Sequence, residues 1–178
     1  MSSAGGLAAV IQSPCGVSES FDPATVDPAN PPKIVQFTAI WDTGATHSCI
    51  TQDVIAALGL KPITMRRVHH AGGTEDAEVF SIHLMLPNNV GFRDVLATRC
   101  QLPTGSQVLI GMDIITVGDF AITNTGGKTV CSFRTPSTKR IDYVQEHQNE
   151  TLREKFQHGG SKKDRKRNHK TFGKNKHK

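Results

Sequence analysis

At 178 residues, with 37% hydrophobic and 6% aromatic side chains, the chain suits one compact domain and is short for two. Its apolar share is lean, so part of it is expected to lie outside any core. Charge is lopsided: Lys162 to Lys178 holds nine Lys/Arg and one acid, leaving 12 basic against 15 acidic residues before it, so the net +5 belongs to the tail.

No stretch approaches ~18 consecutive apolar residues, so no membrane contact is expected. The start, Met1 to Gly16, lacks a basic region followed by a long apolar run, which argues against a secretory signal. A cytoplasmic or otherwise intracellular protein is expected. Cys15, Cys49, Cys100 and Cys131 are widely spaced with no CxxC pair. That argues against a structural zinc site or a disulfide scaffold and for free thiols. No metal or cofactor is expected.

Residues 1–33 read as an irregular, proline-rich arm, punctuated by Pro14, Pro23, Pro28, Pro31 and Pro32, with only Ala8–Ile11 apolar enough to pair as an edge. From Ile34 the texture changes. Val35, Phe37, Ala39 and Trp41 share one parity and predict a strand. Val54, Ile55 and Leu58 then give a short helical face, with Thr51 or Ser48 as cap and Gly59 as terminator. Two strands are expected about Ala71-Gly72-Gly73-Thr74. Phe80, Ile82, Leu84 and Leu86 alternate, implying one buried face and one wet face carrying Ser81 and His83. Pro87-Asn88-Asn89 predicts a turn, Phe92–Thr98 a strand, Val108–Ile110 a buried strand, and Asp113–Val117 one helical turn. A hairpin about Thr125-Gly126-Gly127 closes an all-β domain over 34–135. Residues 136–158 can form a short helix with a weak stripe of Ile141, Val144, Leu152 and Phe156. Residues 159–178 are expected to be a disordered basic tail.

The chemistry sits in Ile40-Trp41-Asp42-Thr43-Gly44-Ala45-Thr46-His47-Ser48-Cys49-Ile50, where a β run ends in an acid followed by Thr and Gly. Alone, the tripeptide is weak evidence. An Asp opening a turn, its carboxylate accepting the N–H two residues on, accounts for it equally well. His47 and Cys49 are too few ligands for a metal site.

The surroundings go further. Asp42-Thr43-Gly44-Ala45, the helix-like VIAALGL, the glycine turn at Ala71–Thr74 and Leu109-Ile110-Gly111-Met112-Asp113 occur in the order seen in retropepsin-like aspartic proteases, the single-domain family of retroviral proteases and their cellular and bacterial relatives. The chain resembles that family from Ile34 to Arg134. The resemblance implies a closed retropepsin-like fold with a glycine-tipped flap hairpin (Ala71, Gly72, Gly73) and one or two short helices. It implies Asp42 as the catalytic acid, with Thr43, Gly44, Ala45 and Asp113 in support.

Only one such tripeptide is present, which is half of a two-carboxylate site. The family's solution is a homodimer with Asp42 from each copy at the axis. The implied function is an aspartic endopeptidase, hydrolysing extended peptide or protein substrates with water activated by the Asp pair. The alternative is a catalytically silent module of the same fold, serving in dimerisation or peptide binding. Outside the resemblance, the Lys162–Lys178 run has three readings: a weak, nonspecific polyanion contact, a K/R-rich localisation signal centred on Lys163 to Arg167, or an extension with no dedicated partner.

Overall fold

The computed structural model describes residues 6–70 and 73–168. The chain divides into two units, Met1–Thr138 and Lys139–Lys178.

The first unit is built of nine strands among the described residues: β1 (Gln12–Glu19), β2 (Val35–Trp41), β3 (Cys49–Ile50), β4 (Thr64–His70), β5 (Gly73–Leu86), β6 (Val90–Arg99), β7 (Val108–Ile110), β8 (Asp119–Thr123) and β9 (Val130–Arg134). Two short helices join them, α1 (Gln52–Leu58) and α2 (Met112–Ile115). The main sheet has the order β1-β2-β7-β3-β6-β5-β4, and β1 also pairs with β5. That last pairing closes six strands into a barrel and leaves β4 outside the ring, paired along the distal half of β5. β8 and β9 form a separate antiparallel pair.

Alternation along the strands builds the interior. Phe80, Ile82 and Leu84 of β5, Ile110 of β7 and Val17 of β1 are fully buried, each worth about 1.5–3 kcal/mol of transfer free energy. Trp41, at the end of β2, stacks on Phe120 (5.4 Å between centroids) and tilts against Phe133 (5.1 Å), tying the β8–β9 pair to the barrel. Its indole N–H donates to Ser13 Oγ at 2.9 Å, satisfying a buried polar group.

α1 follows the expected pattern. Val54 and Ile55 are buried, Thr51 stands at the N-cap without a side-chain cap bond, and Gly59 closes the helix in the left-handed region.

Three sequence expectations are corrected. The arm 1–33 is not irregular throughout: β1 lies within it and is a barrel strand with Ser13, Cys15, Val17 and Ser18 buried. The proline content misleads because Pro14 costs the ladder nothing. The Trp41 N–H bonds the Ile11 carbonyl, so the odd-numbered residues of β1 bond to β2. Pro14, opposite Thr38, turns its missing N–H to the other side, where pairing with β5 begins only at Gly16. Ala8–Ile11 precedes this strand instead of forming it.

Nor does His83 lie on a wet face. It is 4% exposed because the segment after β1 folds over it. The Phe21 ring meets the imidazole edge-on at 4.5 Å, the Phe21 carbonyl lies 2.8 Å from Nε2, and the Asp94 N–H donates to Nδ1 at 3.1 Å.

Finally, the helices are not all short. In the second unit, α3 runs Tyr143–Asn168, starting later than Ser137 and continuing past Gly159-Gly160. The two glycines cost about 1 kcal/mol each in a helix, and the Lys- and Arg-rich residues that follow are good helix formers. The chain is therefore mixed, a β-barrel unit followed by a helix, and not all-β. Ile141, Val144, Leu152 and Phe156 are exposed. The rest of the expected tail, 169–178, lies outside the described residues, as do Ala71 and Gly72. No described helix is long and apolar enough to cross a membrane.

Candidate active site

β2 delivers Asp42 to the end of the barrel. It lies parallel to β7, with Trp41 opposite Ile110, and the Asp42 N–H continues the ladder by donating to the Ile110 carbonyl at 3.0 Å. There the chain turns. Asp42 Oδ1 accepts the Gly44 N–H at 2.8 Å, and the Ala45 N–H donates to the Asp42 carbonyl at 3.3 Å. A Cβ on Gly44 would lie 3.1 Å from Asp42 Oδ1, tight for the same turn. Thr43 and Gly44 are exposed, Asp42 and Ala45 half-buried. Among the described residues, the Gly44 N–H is the one donor to this carboxylate.

A second turn, Gly111-Met112-Asp113, clasps the first. The Met112 N–H donates to the Ala45 carbonyl at 2.8 Å and the Asp113 N–H to the Thr46 carbonyl at 3.2 Å. The Asp113 carboxylate then reaches back to Ser48. Oδ2 accepts the Ser48 N–H at 3.0 Å and Oδ1 the Ser48 hydroxyl at 2.8 Å, while the Ile114 N–H adds a third bond to Oδ1 at 3.1 Å. Ser48 is 1% exposed, and its hydroxyl also accepts the Gly111 N–H at 3.2 Å. The close approach requires glycine at 111, where a Cβ would lie 2.7 Å from the His47 carbonyl carbon. The aspartate, the serine and the two turns thus form one hydrogen-bonded clasp that fixes the Asp42 loop from behind.

The sequence pattern of residues 34–116 matches a family described as gag-polyprotein putative aspartyl protease. The matched stretch is similar to the retroviral-type aspartic proteases that the sequence resembles. The matched stretch takes in both turns of the clasp. No curated protein sequence matches the chain. Among solved structures, the chain is similar to the simian foamy virus (mac) protease, at 14% identity over 58% of this chain and 91% of that one, TM-score 0.36. It is also similar to a retropepsin-like aspartic protease from Rickettsia conorii, at 12% identity over 70% of this chain and 94% of that one, TM-score 0.38.

Of the remaining site residues singled out in the sequence, Gly73 opens β5 opposite His70, at φ +126°. Ala71 and Gly72 fall outside the described residues. Along the hairpin, Arg67 pairs with Asp76 at 3.0 Å and His69 Nδ1 lies 2.8 Å from the Thr74 hydroxyl. No group of three or more His, Cys, Asp or Glu among the described residues has the arrangement of a metal site. Sequence reasoning missed the part played by Ser48. Its signal was a small polar residue six positions after Asp42, visible only once Asp113 is known to need an acceptor's partners. It also missed the Trp41–Phe120–Phe133 packing behind the site, which depends on the β8–β9 hairpin folding back.

Proposed function

We propose that the protein is an aspartic endopeptidase whose active site forms when the Asp42 turns of two copies meet. What carries the reading is the contrast within one clasp. The Asp113 carboxylate is spent on three donors, whereas Asp42 stands at an exposed turn with a single short bond to its own loop.

Two carboxylates about 3 Å apart cannot both ionise, so they share one proton. The ionised member takes a proton from water as that water attacks the scissile carbonyl. The protonated member donates to the carbonyl oxygen, and the resulting tetrahedral intermediate passes a proton to the departing amine. Thr43 and Gly44 lie at the junction, where a small residue lets the second turn approach and a hydroxyl can bond across. Apolar surface suited to such a pairing is present near the N-terminus. Ala8 N–H donates to Thr129 Oγ1 at 2.9 Å and Thr129 N–H to the Gly6 carbonyl, which brings exposed Leu7 beside exposed Val130.

The β4–β5 hairpin, whose described strands end at His70 and resume at Gly73, acts as the flap that the sequence assigns to Ala71, Gly72 and Gly73. It closes over an extended substrate and bonds to its backbone by adding to the sheet. The Lys162–Lys178 run makes a weak polyanion contact separate from catalysis.

The test is digestion of a peptide library by wild type and by Asp42→Asn, with products read by mass spectrometry. Cleavage by wild type alone is expected. Equal cleavage by both proteins contradicts the mechanism. No cleavage by folded, dimeric wild type favours the silent peptide-binding module.

A further inference from the structure

Two of the four cysteines meet just behind the Asp42 turn. β3 and β6 run parallel with Cys49 against Thr98, and the Cys100 N–H donates to the Ile50 carbonyl at 2.9 Å. Cys100 follows Thr98 by two positions, and its N–H continues the ladder just past the end of β6, so the two residues project to the same side, the side Cys49 occupies. Cys49 Sγ lies 3.1 Å from Thr98 Oγ1, and Cys100 stands diagonally from Cys49 across the same ladder. Both cysteines are half-buried, whereas Cys15 and Cys131 are 1% and 3% exposed. Cys100 is also the first residue past β6, at the head of the 100–107 segment that enters β7. A disulfide needs a Cβ–Cβ separation of about 3.5–4.5 Å, so forming one draws Cys100, at the end of the ladder, toward Cys49.

We propose that Cys49 and Cys100 form a reversible thiol switch that exchanges with low-molecular-weight disulfides such as oxidised glutathione. The Cys49 thiolate attacks one sulfur of the small disulfide. A Cys49 mixed disulfide forms, the original S–S bond breaks, and one small thiolate leaves. Cys100 loses its proton to solvent and attacks the Cys49 sulfur, forming the Cys49–Cys100 bond and expelling the second small thiolate. Two protein thiols are oxidised and one small disulfide is reduced to two thiols. Excess small thiol runs the sequence backwards.

The division of roles follows from the surroundings. The Cys49 thiol is held down to about 7, chiefly because the Cys100 thiol donates to its sulfur and the Thr98 hydroxyl adds a second bond; burial and the carboxylates of Asp113 and Asp42 work against this. Cys100 is pushed up by the same contact and by burial. Cys49 is therefore the thiolate that attacks, and Cys100 the one that resolves. Cys15, pushed up to about 12 by burial, is inert by comparison.

The consequence is mechanical. Cys49 follows Ser48, which holds Asp113, and the segment after Cys100 leads into β7, whose Ile110 carbonyl holds the Asp42 N–H. A disulfide ties these two supports of the Asp42 loop together. This switch does not depend on what reaction Asp42 performs.

The experiment treats the full chain with oxidised glutathione, traps free thiols with iodoacetamide, and maps cysteine peptides by mass spectrometry. Wild type is expected to yield a Cys49–Cys100 linked peptide pair with Cys15 and Cys131 still alkylatable after unfolding. Cys100→Ser should stop at the glutathione adduct on Cys49, and Cys49→Ser should give neither product. Alkylation of Cys49 in the folded, reduced protein should rise with a midpoint near pH 7 and run at least ~10-fold faster than that of Cys15. A persistent glutathione adduct on wild-type Cys49 with no linked pair overturns the proposal. So does modification of Cys15 or Cys131 ahead of Cys49. The wild-type map decides even where a variant fails to fold.

Discussion

Asp42 and Asp113 each lie in a tight turn that follows a short β run, and the two turns hold one another, yet their carboxylates meet opposite circumstances. Asp113 faces inward to a buried serine and accepts three bonds. Asp42 faces out of an exposed turn and accepts one. A carboxylate saturated by donors is a structural group, because any proton or water it handled would have to displace those donors. One left nearly free, on a loop pinned by its neighbour, is positioned for chemistry. The division supports the proposed reading, in which the Gly-x-Asp element holds the site without entering its reaction.

The largest expected effect comes from removing the free carboxylate. Asp42→Asn keeps the turn's acceptor oxygen but no ionisable group, so kcat on a cleaved peptide should fall by ~10²–10⁴ or more, because acid and base assistance are lost together. The thermal unfolding midpoint should stay level or rise, since in the proposed dimer two repelling acids become neutral amides. Next comes the structural carboxylate. Asp113→Ala strands the Ser48 N–H and hydroxyl behind the loop, and should cost roughly 2–4 kcal/mol in denaturant unfolding. Asp113→Asn should fall between, as its amide nitrogen confronts the Ser48 N–H. A destabilisation by Asp42→Asn as large as that by Asp113→Ala would erase the distinction between the two acids.

Gly111→Ala probes the clasp itself. Its new methyl would press on the His47 backbone, and the two turns should spread at a cost of about 1–3 kcal/mol. Activity should be lost more than stability, because Asp42 is aimed by that contact.

A smaller effect concerns the barrel behind both turns. Burial pushes the Cys15 thiol from 9.0 up to about 12. Between those pH values the unfolded chain releases this proton and the folded chain keeps it. Stability therefore falls with rising pH, by up to about 1.4 kcal/mol per unit. Cys15→Ala should flatten that alkaline slope in urea titrations relative to wild type, whatever its cost at neutral pH.

How much of this was legible in the sequence depended on whether the signal was local. β2 and α1 were, because Val35, Phe37, Ala39 and Trp41 keep one parity and Val54, Ile55 and Leu58 keep helical spacing within a few residues. The order of Asp42-Thr43-Gly44 and Gly111-Met112-Asp113 was legible for the same reason. β1 was not. The prolines of the 1–33 arm argue against a strand until the partner register shows that Pro14 points its nitrogen away from β2. His83 looked wet because its cover, Phe21, lies 62 residues earlier. The reach of α3 past Gly159-Gly160 was hidden by a local rule about glycine that flanking helix formers outweighed. The Ser48–Asp113 bond spans 65 residues and emerges only when the strands are placed.

The central claim, that one chain carries half of a catalytic pair, is tested most directly by mixing wild type with Asp42→Asn at constant total concentration and measuring peptide cleavage after subunit exchange. If each active site needs Asp42 from both copies, activity falls as the square of the wild-type fraction, because every mixed dimer is silent. A linear fall, with each wild-type chain keeping its full rate in the presence of excess variant, would show that a single chain holds a complete site and would contradict the account.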